Sequence, residues 1–360
     1  MNFSINGKEF NEKINLENTL TIKSFIKDYQ VIYNSENLNE IVCNNYNEND
    51  FIFIDRNVYN LDKKTFETIS NNVQIFDACE ENKNMENVLE LVDILLEKKF
   101  TKKNKVIIIG GGITQEIGGF CCGIFKRGID WVFVPTTVLS MTDSSIGSKI
   151  SINRNSKNML GMFSSPNKII ISDYFLNSLS QNDILSGLGE SLKLCLIGGE
   201  TTYKLFLHNY SKKNYINLIK LASIVKKVII EYDELEKLER KVLNYGHTIG
   251  HAIESTTSYF IPHGIAVLIG MYVKNVLFFE NKYHEINNLI LSMIDTKYFQ
   301  TSFPYKTFIE HLLNDKKNNG DNICFILLNE IGNSVIVYKK LPEFEEKMMN
   351  IFKTLFTNFV

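Results

Sequence analysis

Proline and cysteine are scarce in this sequence, and neither sign of charge dominates. Of its 360 residues, 5 are proline, 6 are cysteine and 1 is tryptophan. With 44% hydrophobic and 22% charged residues, it fits an ordinary globular protein and not a collagen-like, coiled-coil or disordered chain. Cys43, Cys79, Cys121, Cys122, Cys195 and Cys324 form no C-x-x-C pair. That excludes a zinc-finger framework and favours buried free thiols over disulfides, so any metal has His and carboxylate ligands. Lys plus Arg total 39 against 41 Asp plus Glu, without the basic excess of a nucleic-acid-binding protein. No window approaches roughly 18 uninterrupted apolar residues. The start, MNFSINGKEFNEK, lacks the apolar core of a signal peptide. A cytoplasmic protein of one large or two medium domains is expected, without membrane or nucleic-acid partners.

Short apolar runs at 30–33, 51–54, 73–76, 106–109, 131–135 and 168–172 read as buried strands. Segment 85–99 carries the stripe of an amphipathic helix between two of them. This alternation predicts a mostly parallel sheet with helices on its faces. Beyond about residue 180 long helical periodicities take over, at 181–210, 215–233, 237–256 and 264–279, with one hairpin pairing 323–328 with 335–338. The expected organisation is an α/β domain over 1–179 and a mainly helical domain over 180–360.

Three stretches carry candidate chemistry. The run VIIIGGGITQEIGGF, from 106, is a strand, a triple-glycine turn and a helix start. Gly110, Gly111 and Gly112 let a phosphate approach the helix N-terminus; a tight turn with close helix packing explains them equally well. After the strand at 131–135, Thr136 and Thr137 stand at the usual ligand edge of a parallel sheet. Asp143, Lys149, Lys157 and Asn158 follow, either as ligand groups or as a solvated loop. In EKLERKVLNYGHTIGHAI, Arg240, Asn244, His247 and His251 fall at i, i+4, i+7 and i+11, one face of a helix. His263 follows in a turn. A catalytic zinc site takes three protein ligands and leaves one position open, and Glu190, with Lys193 one turn later, is a candidate third ligand from elsewhere.

The motifs GGGITQEIGGF, KRGIDWVFVPTT, TDSSIGSK, KNMLG, SGLGESLK, LNYGHTIGHAIE, PHGIAV and NDKKNNG together resemble 3-dehydroquinate synthase and its relatives, the sugar phosphate cyclases. The resemblance covers about 51–337. It implies a Rossmann-like N-terminal α/β domain, a mainly α-helical C-terminal domain, and NAD and substrate in the cleft between them. It implies the metal ligands Glu190, His247 and His263 for Zn²⁺ or Co²⁺, with His251 a substrate and phosphate contact. NAD contacts would be Asp55, Asn57, Glu80, Lys83, Gly111, Gly112, Ile113, Glu116, Thr136, Thr137 and Lys157, with Phe175 and Leu179 at the domain boundary. Substrate contacts would be Asp143, Lys149, Asn158, Lys193, Lys226, Glu236, Arg240, Asn244 and the Lys316–Lys317 pair. Arg127 resembles an arginine that reaches the neighbouring subunit's phosphate site, which implies a homodimer.

The chemistry implied is a redox-neutral cyclisation of a seven-carbon sugar-acid phosphate. Hydride leaves to NAD⁺ and later returns, phosphate is eliminated in between, and an intramolecular aldol step closes the ring. The sequence departs from the family pattern at Glu116 (usually Asp), Ser148 (usually Gly), Ile265 (usually Glu) and in LKLCLIGG. Relatives cyclise neutral sugar phosphates. Lys226 and Arg240 match the positions that clamp a substrate carboxylate, and an Arg fork suits a carboxylate, so the carboxylated substrate is expected.

Overall fold

The computed structural model describes residues 1–314, 318 and 322–360. The chain divides into two compact units. One comprises Asn15–Ser180 and Ile230–Glu234; the other comprises Met1–Ile14, Gln181–Ile229 and Leu235–Val360.

The first unit is an α/β domain on a seven-stranded sheet. Its order is Thr19–Ile22, Tyr29–Asn34, Lys168–Ser172, Asp130–Pro135, Lys105–Gly110, Phe51–Asp55, Val73–Phe76. All neighbours pair in parallel except the edge strand Thr19–Ile22. Phe51–Asp55 is buried along its whole length, as a parallel strand between two covering layers must be. Helix Gly112–Ile124 lies close on the sheet: a Cβ at Gly118 would sit 2.7 Å from Ile108 Cδ1. Val73–Phe76 and Lys105–Gly110 flank Phe51–Asp55 on opposite sides, so the strand order switches there. Ligand crevices open at the carboxyl ends of strands around such a switch.

One stretch and two cysteines differ from expectation here. Residues 149–163 are not a loop but an antiparallel hairpin, Lys149–Arg154 with Ser156–Phe163, turning at Asn155 with φ +59°. Its buried alternation, Ile150 and Ile152, is masked in the sequence by Ser, Asn and Lys. Of the six free cysteines, Cys43 and Cys79 are exposed while the other four are buried.

The second unit is mainly helical, around a His263–Phe279 helix buried on nearly every side. It also holds a four-stranded sheet ordered Asn322–Glu330, Asn333–Lys340, Asn2–Ile5, Lys8–Asn11. Residues 1–14, expected in the first domain, therefore lie in the second unit. Ser4 pairs in parallel opposite Asn333, and Phe3 and Ile5 are buried. No local pattern announces so distant a partner.

Glycine breaks two helices that periodicity had joined. Segment 181–210 splits into Gln181–Ile197 and Glu200–Ser211 around Gly199, φ +100°. Segment 237–256 splits at Gly246, φ +83°, into a 3₁₀ turn Glu239–Asn244 and the helix His247–Thr256. The four-residue stripe is thereby divided, with Arg240 and Asn244 in the 3₁₀ turn and His247 and His251 in the α-helix. No described helix is long and apolar enough to cross a membrane.

Candidate active site

Glu190 stands mid-way along Gln181–Ile197, in a stretch buried without interruption from 186 to 197. A carboxylate taken wholly out of water needs partners. One oxygen, Oε2, pairs with the equally buried ammonium of Lys193, one turn on. The other, Oε1, has no well-formed hydrogen bond among the described residues. It lies 3.5 Å from His247 Nε2 and 3.4 Å from His263 Nε2. Three ligands held about 2.1 Å from a tetrahedral ion stand roughly 3.4 Å apart, so the trio is spaced for one divalent ion.

The far nitrogens are committed. His247 Nδ1 is 3.2 Å from the Tyr245 carbonyl, which can only accept, so the proton belongs on Nδ1 and the Nε2 lone pair faces Glu190. His263 Nδ1 meets Glu254 Oε2 at 2.9 Å, a carboxylate–histidine pair of the kind that orients metal ligands. Burial alone would lower the His263 pKa, but Glu254 and Glu190 together push it up to about 10. Without a metal this ring is an imidazolium between two carboxylates. His251, Glu254 and His263 also bring ligand atoms within 4.8 Å of one another. Glu254 already holds His263 Nδ1, so the nitrogens that face Glu190 are His247 Nε2 and His263 Nε2. The half-buried His251 ring lies 5.1 Å from that of His247.

Sequence reasoning missed Glu254. Its signal was there: it lies three residues after His251 and seven after His247, on the same helical face. Elsewhere in this unit Asn244 Nδ2 donates to Glu236 Oε1 at 3.2 Å, which brings two expected substrate contacts together. Lys226 and Arg240 are both buried. Lys316 and Lys317 lie outside the described residues.

In the α/β unit, Asp55, Asn57, Gly111, Gly112, Thr136 and Thr137 follow the carboxyl ends of three adjacent strands. Asp55 caps a short helix, accepting from the amides of Asn57 and Val58 at 2.7 and 3.3 Å; burial raises its pKa against those bonds. Gly111 and Gly112 begin the next helix, and Ile113 follows half-buried. A Cβ at Gly111 would come 3.3 Å from Thr137 and one at Gly112 3.4 Å from Ser144, so the turn leaves its amides a narrow cradle. Thr136 donates its amide to Gly110 O at 3.0 Å, and Thr137 Oγ1 lies 2.8 Å from Ser140 Oγ. Lys83 Nζ meets Glu116 at 2.5 Å and Asn158 Oδ1 at 2.5 Å. Glu116 also accepts from Ser151 Oγ at 2.9 Å, and Glu80 from Asn153 at 2.8 Å. Burial pushes the Glu116 carboxyl up while Lys83 opposes it.

Other expected contacts are more scattered. Asp143 is half-buried in the turn Ser140–Ser144, and Lys149 and Lys157 are exposed on the hairpin. Phe175 is a core residue, with Leu179 half-buried just after its turn. Arg127 is exposed at a left-handed turn, φ +65°.

Family models for the N-terminal and C-terminal parts of 3-dehydroquinate synthase match residues 73–186 and 187–318. A 3-dehydroquinate synthase of Pelagibacter ubique is 37% identical over 326 residues, 84% of this chain and 87% of that one. The chain belongs to the 3-dehydroquinate synthase family. The activity that goes with these matches is the family's lyase reaction of the shikimate pathway. The solved structure of a 2-deoxy-scyllo-inosose synthase complexed with carbaglucose-6-phosphate, NAD⁺ and Co²⁺ matches with a TM-score of 0.77 at 22% identity, over 92% of this chain and 99% of that one. A 2-epi-5-epi-valiolone synthase from Streptomyces hygroscopicus, with NAD⁺ and Zn²⁺ bound, gives 0.72 at 20% identity, over 91% and 97%. At that identity they establish the 3-dehydroquinate synthase fold.

Proposed function

We propose that this chain converts 3-deoxy-D-arabino-heptulosonate 7-phosphate to 3-dehydroquinate and phosphate, with NAD and a divalent Zn²⁺ or Co²⁺ ion, as a cytoplasmic homodimer. The observation that carries the reading is the Glu190, His247 and His263 trio, spaced for one ion with both far imidazole nitrogens tied down. When bound, the metal supplies Lewis acidity to substrate hydroxyls and NAD a reversible hydride acceptor.

The chain's own groups do the rest. Lys193 Nζ, locked to Glu190, and Arg240 hold positive charge in buried positions, where it stabilises oxyanion and phosphate charge more strongly than in water. Asn244 holds the Glu236 carboxylate by its amide, which fixes that group for a substrate hydroxyl. Arg240 and Lys226 are the carboxylate clamp of this reading, and a neutral sugar phosphate offers no carboxylate for an Arg fork to hold. Gly111, Gly112 and Thr137 cradle the dinucleotide phosphates. Arg127, which the family resemblance assigns to the neighbouring subunit's phosphate site, is exposed, as a contact with a second copy requires.

The test is phosphate release from 3-deoxy-D-arabino-heptulosonate 7-phosphate with NAD⁺ and Zn²⁺, with and without EDTA, the product identified by mass. Glucose 6-phosphate and sedoheptulose 7-phosphate run alongside. The expected outcome is dehydroquinate, no net NADH and loss of turnover with EDTA. Release from a neutral sugar phosphate alone would overturn the substrate and the clamp.

A further inference from the structure

Lys274 is a lysine buried to 2% exposure, in the middle of the His263–Phe279 helix. Its Nζ donates to the Ile326 carbonyl and stands 3.2 Å from the centroid of the Tyr245 ring, while burial pushes its pKa well below the usual lysine value. An N–H of the amine over an aromatic face is attracted by the negative face of the ring quadrupole in either protonation state. The same tyrosine is held at its other end, where its hydroxyl donates to Asn275 Oδ1 at 2.8 Å. Asn275 in turn donates to Asn287 Oδ1 at 3.0 Å. Tyr245 is thus fixed on its face and at its tip, and it is itself 1% exposed.

What Tyr245 offers in return is its backbone carbonyl, 3.2 Å from His247 Nδ1. Between the two residues lies Gly246, left-handed at φ +83°. A shift of Tyr245 therefore moves its own carbonyl, the group that sets the tautomer and aim of His247.

We propose that Lys274 is a positioning residue for the metal site, acting through Tyr245 on His247. The proposal rests on the metal-site reading above. Lys274 touches neither metal nor substrate in this role. Its effect is to hold the carbonyl that keeps the His247 proton on Nδ1 and the Nε2 lone pair toward Glu190. Outer partners of this kind are worth about 10- to 100-fold in metal affinity.

The test compares the full-length wild type with Lys274→Met and Lys274→Gln. Zinc dissociation constants are read by competition with a chelator, and Co²⁺ visible spectra report ligand geometry. Phe352→Leu, in the aromatic cluster of Phe303, Phe308 and Phe356, serves as a variant destabilised by packing alone. Lys274→Met should weaken zinc binding about tenfold or more and alter the cobalt spectrum, while Phe352→Leu lowers the melting temperature with zinc affinity unchanged. A folded Lys274→Met with wild-type zinc affinity and spectrum would overturn the proposal. If Lys274→Met does not fold, Lys274→Gln, which keeps a polar side chain for the Ile326 carbonyl but removes Nζ from the Tyr245 ring face, is read the same way. A wild type that binds no zinc would instead remove the metal site itself.

Discussion

His263 holds a different partner with each ring nitrogen, and its titration follows from that. Nε2 faces Glu190 and Nδ1 faces Glu254, and the two carboxylates keep the ring protonated up to about pH 10 in the metal-free protein. A metal must displace that proton, because the ligand is the neutral imidazole. The sign follows directly. The raised pKa favours the proton-bound, metal-free form at low pH, so metal affinity climbs as pH rises toward 10. Apparent zinc affinity should strengthen by about tenfold per unit between pH 6 and 9, one proton being released per ion; buffered zinc competition with proton-release calorimetry measures both. Glu254→Gln should flatten that slope, since it removes the largest opposing charge. A slope unchanged by Glu254→Gln would mean that another group yields the proton. At this scale the sequence was most informative about groups that do chemistry. His247, His251 and His263 stood out by their clustering, and Glu190 by a lysine on the same face. Tyr245 and Lys274 did not, because a tyrosine and a lysine in helical segments are ordinary until their burial and mutual contact are known.

At the scale of elements, the metal site depends on how closely two helices approach. A Cβ on Gly270 would lie 2.1 Å from the Gly246 carbonyl, and one on Gly264 would lie 1.7 Å from the Ser186 carbonyl of the Glu190 helix. Those partners are backbone and cannot rotate away. Gly270→Ala should therefore cost about 3 kcal/mol, the upper part of the usual range for overpacking, and should also lower zinc content, since Gly246 directly precedes His247. Urea unfolding of the apo protein and metal analysis of the purified variant read the two effects separately. Full zinc content at reduced stability would show that the helices separate without moving His247. The same contact explains why sequence periodicity joined 237–256 into one helix. Glycine inside a helix costs only about 1 kcal/mol, so Gly246 does not by itself announce a break. The left-handed turn comes from packing against the neighbouring helix, a tertiary cause with no local signature. The parallel strands were legible for the opposite reason: each is a short run of Ile, Val and Phe buried on both faces, a pattern set within the segment itself.

For the whole molecule, the boundary near Ser180 was visible as a change from strand–helix alternation to long helical periods, but the chain's other crossings were not. Ile230–Glu234 belongs to the α/β unit, where Glu234 accepts from Ser24 Oγ at 2.8 Å, from the Phe25 amide at 2.5 Å and from Ser148 Oγ. Met1–Ile14 belongs to the helical unit, through main-chain pairing with Asn333–Lys340 and the burial of Phe3, Ile5 and Phe10. Such exchanges are fixed by partners hundreds of residues away, which composition and period do not encode. Their energetic consequence is specific. Ile5→Ala removes a fully buried side chain and should cost about 3 kcal/mol, the usual range for an aliphatic cavity. The loss should fall on the unit that contains the strand. Hydrogen exchange should show faster opening at amides 324–328 of the four-stranded sheet and unchanged protection at 106–109 in the parallel sheet. Equal losses at both places would mean that the two units open as one cooperative body, and that the N-terminal strand stabilises the whole chain rather than the sheet it completes.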